Sequence, residues 1–204
     1  ISHRRLSNGE DKPYELNISW WSAMEDSSRV SNRFQYQRFI LTQLLVISLQ
    51  GVPAFYLPAL FASNNDIKSF SMTGQRRDLN REKFKYEELS LILQHKESNA
   101  SRNINFLSKA MEIRANLKAF HPSSEMECLT KDRSDLTVIK RGKNESLVLA
   151  IHNFTENKLN YSINDSELLN LLSNKCELKD YLTDKKYSSL SIVLEPFQVI
   201  WLGV

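Results

Sequence analysis

The sequence predicts an α/β segment followed by a small all-β domain, and three observations carry that expectation. Residues 32–50 place Phe34, Ile40, Leu41, Leu44, Leu45 and Leu49 largely at helical spacing and stop at Gly51. Directly after it, residues 51–62 form an apolar run of strand length, entered through Gly51-Val52-Pro53 and left through Ser63-Asn64-Asn65-Asp66. Helix followed by buried strand is half of a β/α repeat, so 52–62 is expected to be an interior parallel strand whose end delivers polar groups to a site. From Ser124 onward the texture changes to short apolar runs separated by turn signals, which is the pattern of antiparallel strands.

In chain order, residues 1–13 are polar, with Asn8-Gly9 and Pro13 as turn signals, and are expected to be loop. Tyr14-Glu15-Leu16-Asn17-Ile18-Ser19-Trp20-Trp21 alternates apolar and polar residues and is expected to be a short strand with its aromatic end packed. Ser28 or Ser31 can cap the long helix. Residues 63–84 make a long polar loop with Arg76, Arg77 and Arg81, and a loop of that length in a compact domain is more often functional than not. Helical character returns at 85–94 and again at 104–120, where Phe106, Ala110, Ile113, Leu117 and Phe120 make one face and Pro122 ends it. Strands are expected at 138–139, 146–154, 159–163, 190–194 and 197–202, while 168–172 reads equally as helical turn or strand. The division is placed at 1–122 and 123–204.

With 204 residues and a net charge of +3, the chain carries no polybasic nucleic-acid surface and no membrane-attracting arm. No window reaches transmembrane length without charge, and Ile1-Ser2-His3-Arg4-Arg5 has no apolar core of signal-peptide type, so a soluble, cytoplasmic protein is expected. Cys128 and Cys176 have no partner ligands at metal spacing and are read as reduced. His3, His95, His121 and His152 share no spacing suited to a metal or a paired base. Sequons at Asn17, Asn99, Asn144, Asn153, Asn160 and Asn164 are read as the product of an Asn- and Ser-rich composition. Trp20 and Trp21 could stack on sugar rings, although an adjacent pair more often puts one ring in a core and the other at an interface.

Five motifs then carry a resemblance. Pro13-Tyr14-Glu15-Leu16-Asn17, Gly51-Val52-Pro53-Ala54-Phe55-Tyr56, Asn65-Asp66, Arg77-Asp78-Leu79-Asn80-Arg81 and the closing Leu194-Glu195-Pro196-Phe197-Gln198-Val199-Ile200-Trp201-Leu202 together resemble the C-terminal portion of sucrose phosphorylase and related α-glucoside phosphorylases of the α-amylase superfamily, glycoside hydrolase family 13. The resemblance implies the end of a (β/α)8 TIM barrel, with strand eight at 52–62, followed by an antiparallel β domain. It implies a retaining mechanism whose nucleophile, acid/base and transition-state carboxylates lie upstream, so this chain contributes no catalytic residue and the isolated chain should not turn over.

What the resemblance carries onto this chain is Arg81, the last arginine of its motif, as the residue that holds the donor glucose; guanidinium presents several fixed donors and stays charged. Arg77 and Asp78 flank it and are weighed against a purely loop-ordering role. Tyr56 could line a subsite or sit in the core, and Asp66 could touch an acceptor or shape the loop. Arg76 stands where the family commonly has a glycine. The implied partners are an α-glucoside and phosphate, with no metal or organic cofactor, and fructose, a fructose phosphate, glycerate or glycerol as acceptor. An amylase-type hydrolase or transglycosidase, or a non-enzymatic truncated product, are the other readings. An incomplete barrel is also expected to self-associate or to pair with an N-terminal barrel portion.

Overall fold

A computed structural model of the chain describes residues 1–25, 33–172 and 177–204. In chain order it contains the strands β1 (Ser2–Arg5) and β2 (Asp11–Glu15), then the helices α1 (Trp20–Ala23), α2 (Gln35–Ser48), α3 (Leu57–Leu60) and α4 (Ile67–Thr73). A 3-10 turn at Arg76–Asn80 precedes α5 (Tyr86–Gln94) and α6 (Asn99–Asn116). The remainder holds β3 (Met126–Cys128), β4 (Leu136–Arg141), β5 (Val148–Asn153), β6 (Leu159–Ser162), α7 (Ser166–Leu172), β7 (Leu178–Asp180), β8 (Lys186–Tyr187), β9 (Ser191–Leu194) and β10 (Val199–Gly203). Two compact units result. One takes Ile1–Gln35 and Phe55–Phe106, the other Tyr36–Ala54 and Leu107–Val204.

The second unit is built on a six-stranded sheet of order β3-β4-β5-β10-β7-β8, antiparallel at every pairing, with β6 and β9 forming a second two-stranded sheet. The five runs read as strands are strands in antiparallel sheets, although the region is not all-β, since it also holds α7. Every residue of β5 and β10 is buried, which is why Val-Leu-Ala-Ile-His-Asn and Val-Ile-Trp-Leu-Gly read as continuous runs instead of alternating ones. Leu136, Val138, Leu149, Ile151, Ile200 and Leu202 pack one face against Tyr161, Ile192, Leu194 and Leu168. On the other face Trp201 lies 4.5 Å from Phe120 between ring centroids and donates its indole N–H to Ser48 Oγ of α2 at 3.1 Å.

The C-terminus of α2 shows how the unit is tied together. A helix leaves its last carbonyls without intrahelical donors, and its macrodipole makes that end negative. Here two arginines supply both the donors and the charge. Arg114 bonds the carbonyls of Ile47 (2.9 Å) and Gly51 (2.8 Å), and Arg141, fully buried, bonds those of Ser48 (2.9 Å) and His121 (3.1 Å). Gly51 itself sits at φ +104°, the left-handed region that lets the chain turn away.

The run 168–172, read as helix or strand, is helical. Asp165 accepts the Leu168 N–H at 2.9 Å, and Lys140 bridges Asp165 (2.9 Å) and Glu167 (2.8 Å), anchoring α7 to β4. Asp180, fully buried, accepts from the backbone N–H groups of Trp201 (2.9 Å) and Leu182 (3.1 Å) and from the Thr183 hydroxyl (2.5 Å), joining β7 to β10. Burial raises its pKa above the ordinary carboxylate value despite those donors. The Asn153 sequon is likewise internal: its amide donates to Asn157 and Glu195 carbonyls at 2.8 Å each.

Several expectations for residues 1–84 are corrected. Residues 52–62 are not a buried parallel strand. Residues 52–56 lie in no ladder, Val52 is 82% exposed, and 57–60 coil into α3, where Pro58 occupies an early helical position whose N–H would be unpaired in any case. A parallel strand exists only through hydrogen-bonded neighbours on its edges, and among the described residues none flanks this run. Residues 1–13 are not simply loop: β1 and β2 pair antiparallel around the Asn8-Gly9 turn. The strand expected at 14–21 ends at Glu15, and Ser19 caps the short α1 by accepting the Ser22 N–H at 3.1 Å. The long loop holds α4, begun by an Asp66 cap and ended by Gly74 in the left-handed conformation. The helix expected at 32–50 forms over Gln35–Ser48; its capping candidates Ser28 and Ser31, like Cys176, lie outside the described residues.

Candidate functional site

Polar side chains hold the segment from Tyr56 to Arg81 in shape. Asp66 accepts the Ser69 N–H at 2.9 Å at the start of α4, and its own N–H donates to the Leu79 carbonyl at 2.8 Å, so one residue pins both ends of the loop. The hydrogen bonds from Ser69 hold its carboxyl below the ordinary value. Asn65 accepts the Ser19 N–H at 2.7 Å while its N–H donates to Ser22 Oγ at 3.1 Å, tying the loop to α1. Asp78 accepts from the Thr73 hydroxyl at 2.6 Å. Arg77 donates Nε to Glu15 Oε2 at 2.9 Å, which stitches the 3-10 turn to β2 and, through that carboxylate, raises the Arg77 pKa.

Arg81 closes the 3-10 turn, its N–H donating to the Asp78 carbonyl at 3.2 Å. Its side chain is exposed, and among the described residues it makes no hydrogen bond or ion pair with protein. Of the three residues Arg77, Asp78 and Arg81, only Arg81 has a guanidinium or carboxylate uncommitted to the loop.

Two clefts open beside this segment. A cleft of about 360 Å³ is lined by Ile18, Trp20, Met24, Tyr56, Pro58 and Asn80 among others. Its rim is aromatic, Tyr56 and Trp20 being largely exposed, while Trp21 is buried. Asn80 Oδ1 is buried there without a hydrogen-bond partner. A wider cleft of about 740 Å³ contains Asp66 beside Lys68, Lys83 and the edge-to-face pair Phe61 and Phe84. The five residues singled out from sequence therefore fall in three places: Tyr56 in the smaller cleft, Asp66 in the wider one, and Arg77, Asp78 and Arg81 on the turn. Asn80 was inside the motif but unassigned; its position between two residues already named was the available signal.

Among the described residues no group of three His, Cys, Asp or Glu side chains is placed to hold a metal, and no helix is long and apolar enough to cross a membrane.

No family model matches the sequence. Whole-chain similarity is nonetheless present. The chain is 24% identical to a glucosylglycerate phosphorylase of Escherichia coli K12 over 99% of its own length and 34% of that protein's. It is 27% identical to one of Spirochaeta thermophila, again over 99% of its length and 35% of the relative's. The chain thus spans about a third of the length of the curated relatives it matches. Among solved structures it superimposes on AmyP bound to maltose with a TM-score of 0.65, at 13% identity, covering 87% of this chain and 36% of that one. An Anoxybacillus α-amylase gives a TM-score of 0.54 at 17% identity, covering 86% and 34%. The fold is therefore that of α-amylase-type proteins in part. Together these matches show that the chain is similar along nearly its whole length to phosphorylases of glycoside hydrolase family 13, the resemblance its short motifs carry.

Proposed function

We propose that this chain is the C-terminal portion of a retaining α-glucoside phosphorylase: the end of a (β/α)8 barrel in residues 1–122 and an accessory β domain in 123–204. The observation that supports this best is the similarity to glucosylglycerate phosphorylases over 99% of the chain. In this reading an α-glucoside and phosphate are exchanged for glucose 1-phosphate and a free acceptor through a covalent glucosyl-enzyme, and the relatives' name favours glycerate among the acceptors considered. The acid, base and nucleophile are supplied by polypeptide outside these 204 residues. Arg81 binds the donor glucose, the role best suited to an exposed guanidinium with all its donors free. Arg77 and Asp78 hold the turn that presents it, and Tyr56 and Asp66 face the substrate from the adjoining clefts.

The test is phosphate-dependent release of glucose 1-phosphate from glucosylglycerate. The 204-residue chain alone gives none; joined to, or mixed with, the portion its relatives carry outside the matched third, it gives activity. Turnover by the isolated chain, or glucose release that ignores phosphate, contradicts the proposal. In the active protein Arg81→Ala lowers kcat/KM roughly 30- to 100-fold, the loss of one or two charged hydrogen bonds to a hydroxylated ligand. Arg77→Ala, which removes an exposed loop contact, costs only a few-fold.

A further inference from the structure

The wider cleft, walled entirely by residues between 61 and 100 of one unit, holds polar groups that the loop around it does not use. The helix α6 begins on it. Asn103 donates its amide to the carbonyls of Ala59 (3.1 Å) and Leu60 (2.8 Å), which sets the first turns of α6 against the segment leading to Ser63. Ser98 Oγ takes up the Ser101 N–H at 3.1 Å, but the N–H groups of Asn99 and Ala100 make no hydrogen bond among the described residues. Such a helix end carries partial positive charge and open donors. On the same cleft Ser63, only 7% exposed, has a buried hydroxyl with no partner. A hydroxyl in that position is destabilising unless something outside the fold supplies a partner.

The charges on the cleft point to the ligand's sign. Lys68, on α4, and Lys83 are exposed and make no ion pair or hydrogen bond among the described residues, and both lie near enough to the Asp66 carboxylate to lower its pKa. Of the three carboxylates there, Asp66 caps α4 and Glu88 pairs with Lys85 at 3.1 Å, which leaves Glu82 as the one without a partner among the described residues. We infer that this cleft binds a small oxyanion, a phosphate or carboxylate group, held between the first turn of α6 and the ammoniums of Lys68 and Lys83, with the Ser63 hydroxyl as a further donor. Donor-only ammoniums, open amides and a partnerless hydroxyl suit a group that only accepts. Glu82 opposes that group and limits its affinity. The volume of about 740 Å³ leaves room for a small organic body on the oxyanion, beside Phe61 and Phe84. The inference stands without the phosphorylase reading, in which phosphate and glycerate each carry such a group.

The experiment titrates the full 204-residue chain with inorganic phosphate and, separately, with D-glycerate, at fixed pH and ionic strength, and follows the backbone amides by NMR. The amides of Ser63, Asn99 and Ala100 are expected to shift along one saturating curve. Lys83→Gln and Ser63→Ala each weaken binding roughly tenfold, and Glu82→Gln tightens it roughly threefold, the direction that a merely damaged fold would not give. Lys96→Gln, at an exposed position outside the cleft, leaves the curve unchanged. Saturation by phosphate alone assigns a phosphate group, by glycerate alone a carboxylate, and by both an oxyanion site that does not discriminate. Shifts that never saturate, shifts that Lys96→Gln reduces as much as Lys83→Gln does, or no shift at those three amides with either anion overturns the inference. None of these outcomes depends on turnover, so a chain that binds the anion yet never supports glucose 1-phosphate release removes the phosphorylase reading and leaves the oxyanion site in place.

Discussion

Arg141→Met lowers the stability of the protein by about 3 kcal/mol, read as a lower denaturant midpoint at unchanged slope. The guanidinium is fully buried and bonds the carbonyls of Ser48 and His121, and it lies 5.5 Å from the centroid of the Phe120 ring. Methionine fills most of the volume but leaves both carbonyls in an apolar interior without donors, at roughly 1 to 3 kcal/mol each. Part of that loss is offset because the charge itself is costly there: burial, together with the neighbouring Arg114 charge, already depresses the Arg141 pKa. Arg141→Lys recovers little, because a single ammonium cannot replace two separate guanidinium nitrogens that donate to the Ser48 and His121 carbonyls. An unchanged midpoint for Arg141→Met would show that the sheet and the end of α2 are joined by apolar packing alone.

Acidification from pH 6.5 to 4 costs the fold about 3 kcal/mol through one side chain, His152. The imidazole is fully buried on β5, and burial lowers its pKa from 6.5 to about 4, against the opposing pull of carbonyls from Thr137, Ala150 and Leu44. The unfolded chain therefore takes up a proton in that window while the folded one does not. The stabilisation is complete above pH 6.5 and is lost as the pH falls toward 4. Asp180 works in the opposite sense: its raised pKa means that the folded state binds the proton first, so acidification from just above its folded pKa down to 3.8 favours the fold. The contribution of His152 is isolated by difference. In His152→Gln the pH dependence between 6.5 and 4 flattens by the stated amount in parallel urea titrations, and an unaltered slope would mean that His152 is protonated in the folded protein.

The β domain was legible because burial on both faces of β5 and β10 writes itself as unbroken apolar runs, and the helices at 35–48 and 86–94 because their spacing and stops are local. The same logic misled at 52–62. An apolar run reports that side chains seek cover, but a strand is a property of its neighbours, and here Pro58 and a helical turn prevail. The short strands β3, β7 and β8, two or three residues each, are defined by pairing and leave almost no pattern. At the candidate site the motif Arg77-Asp78-Leu79-Asn80-Arg81 marks the turn, and Asp66 and Gly74, eight residues apart, carry the cap signals of α4. The buried roles of Arg114, Arg141 and His152 depend on contacts 15 to 93 residues away in sequence, which no local pattern encodes.

The position of β10 has a consequence for the order of assembly. Residues Val199–Gly203 are the last strand in sequence yet lie between β5 and β7 in the middle of the six-stranded sheet. On a ribosome, β3, β4 and β5 can emerge and pair, and β7 can pair with β8, but the two groups cannot join into one sheet until Leu202 and Gly203 have been polymerised and freed from the exit tunnel. The unit therefore cannot complete its sheet progressively during translation; β5 waits with an open apolar edge, and a product truncated before Val199 is the form most exposed to aggregation and to proteolytic clearance.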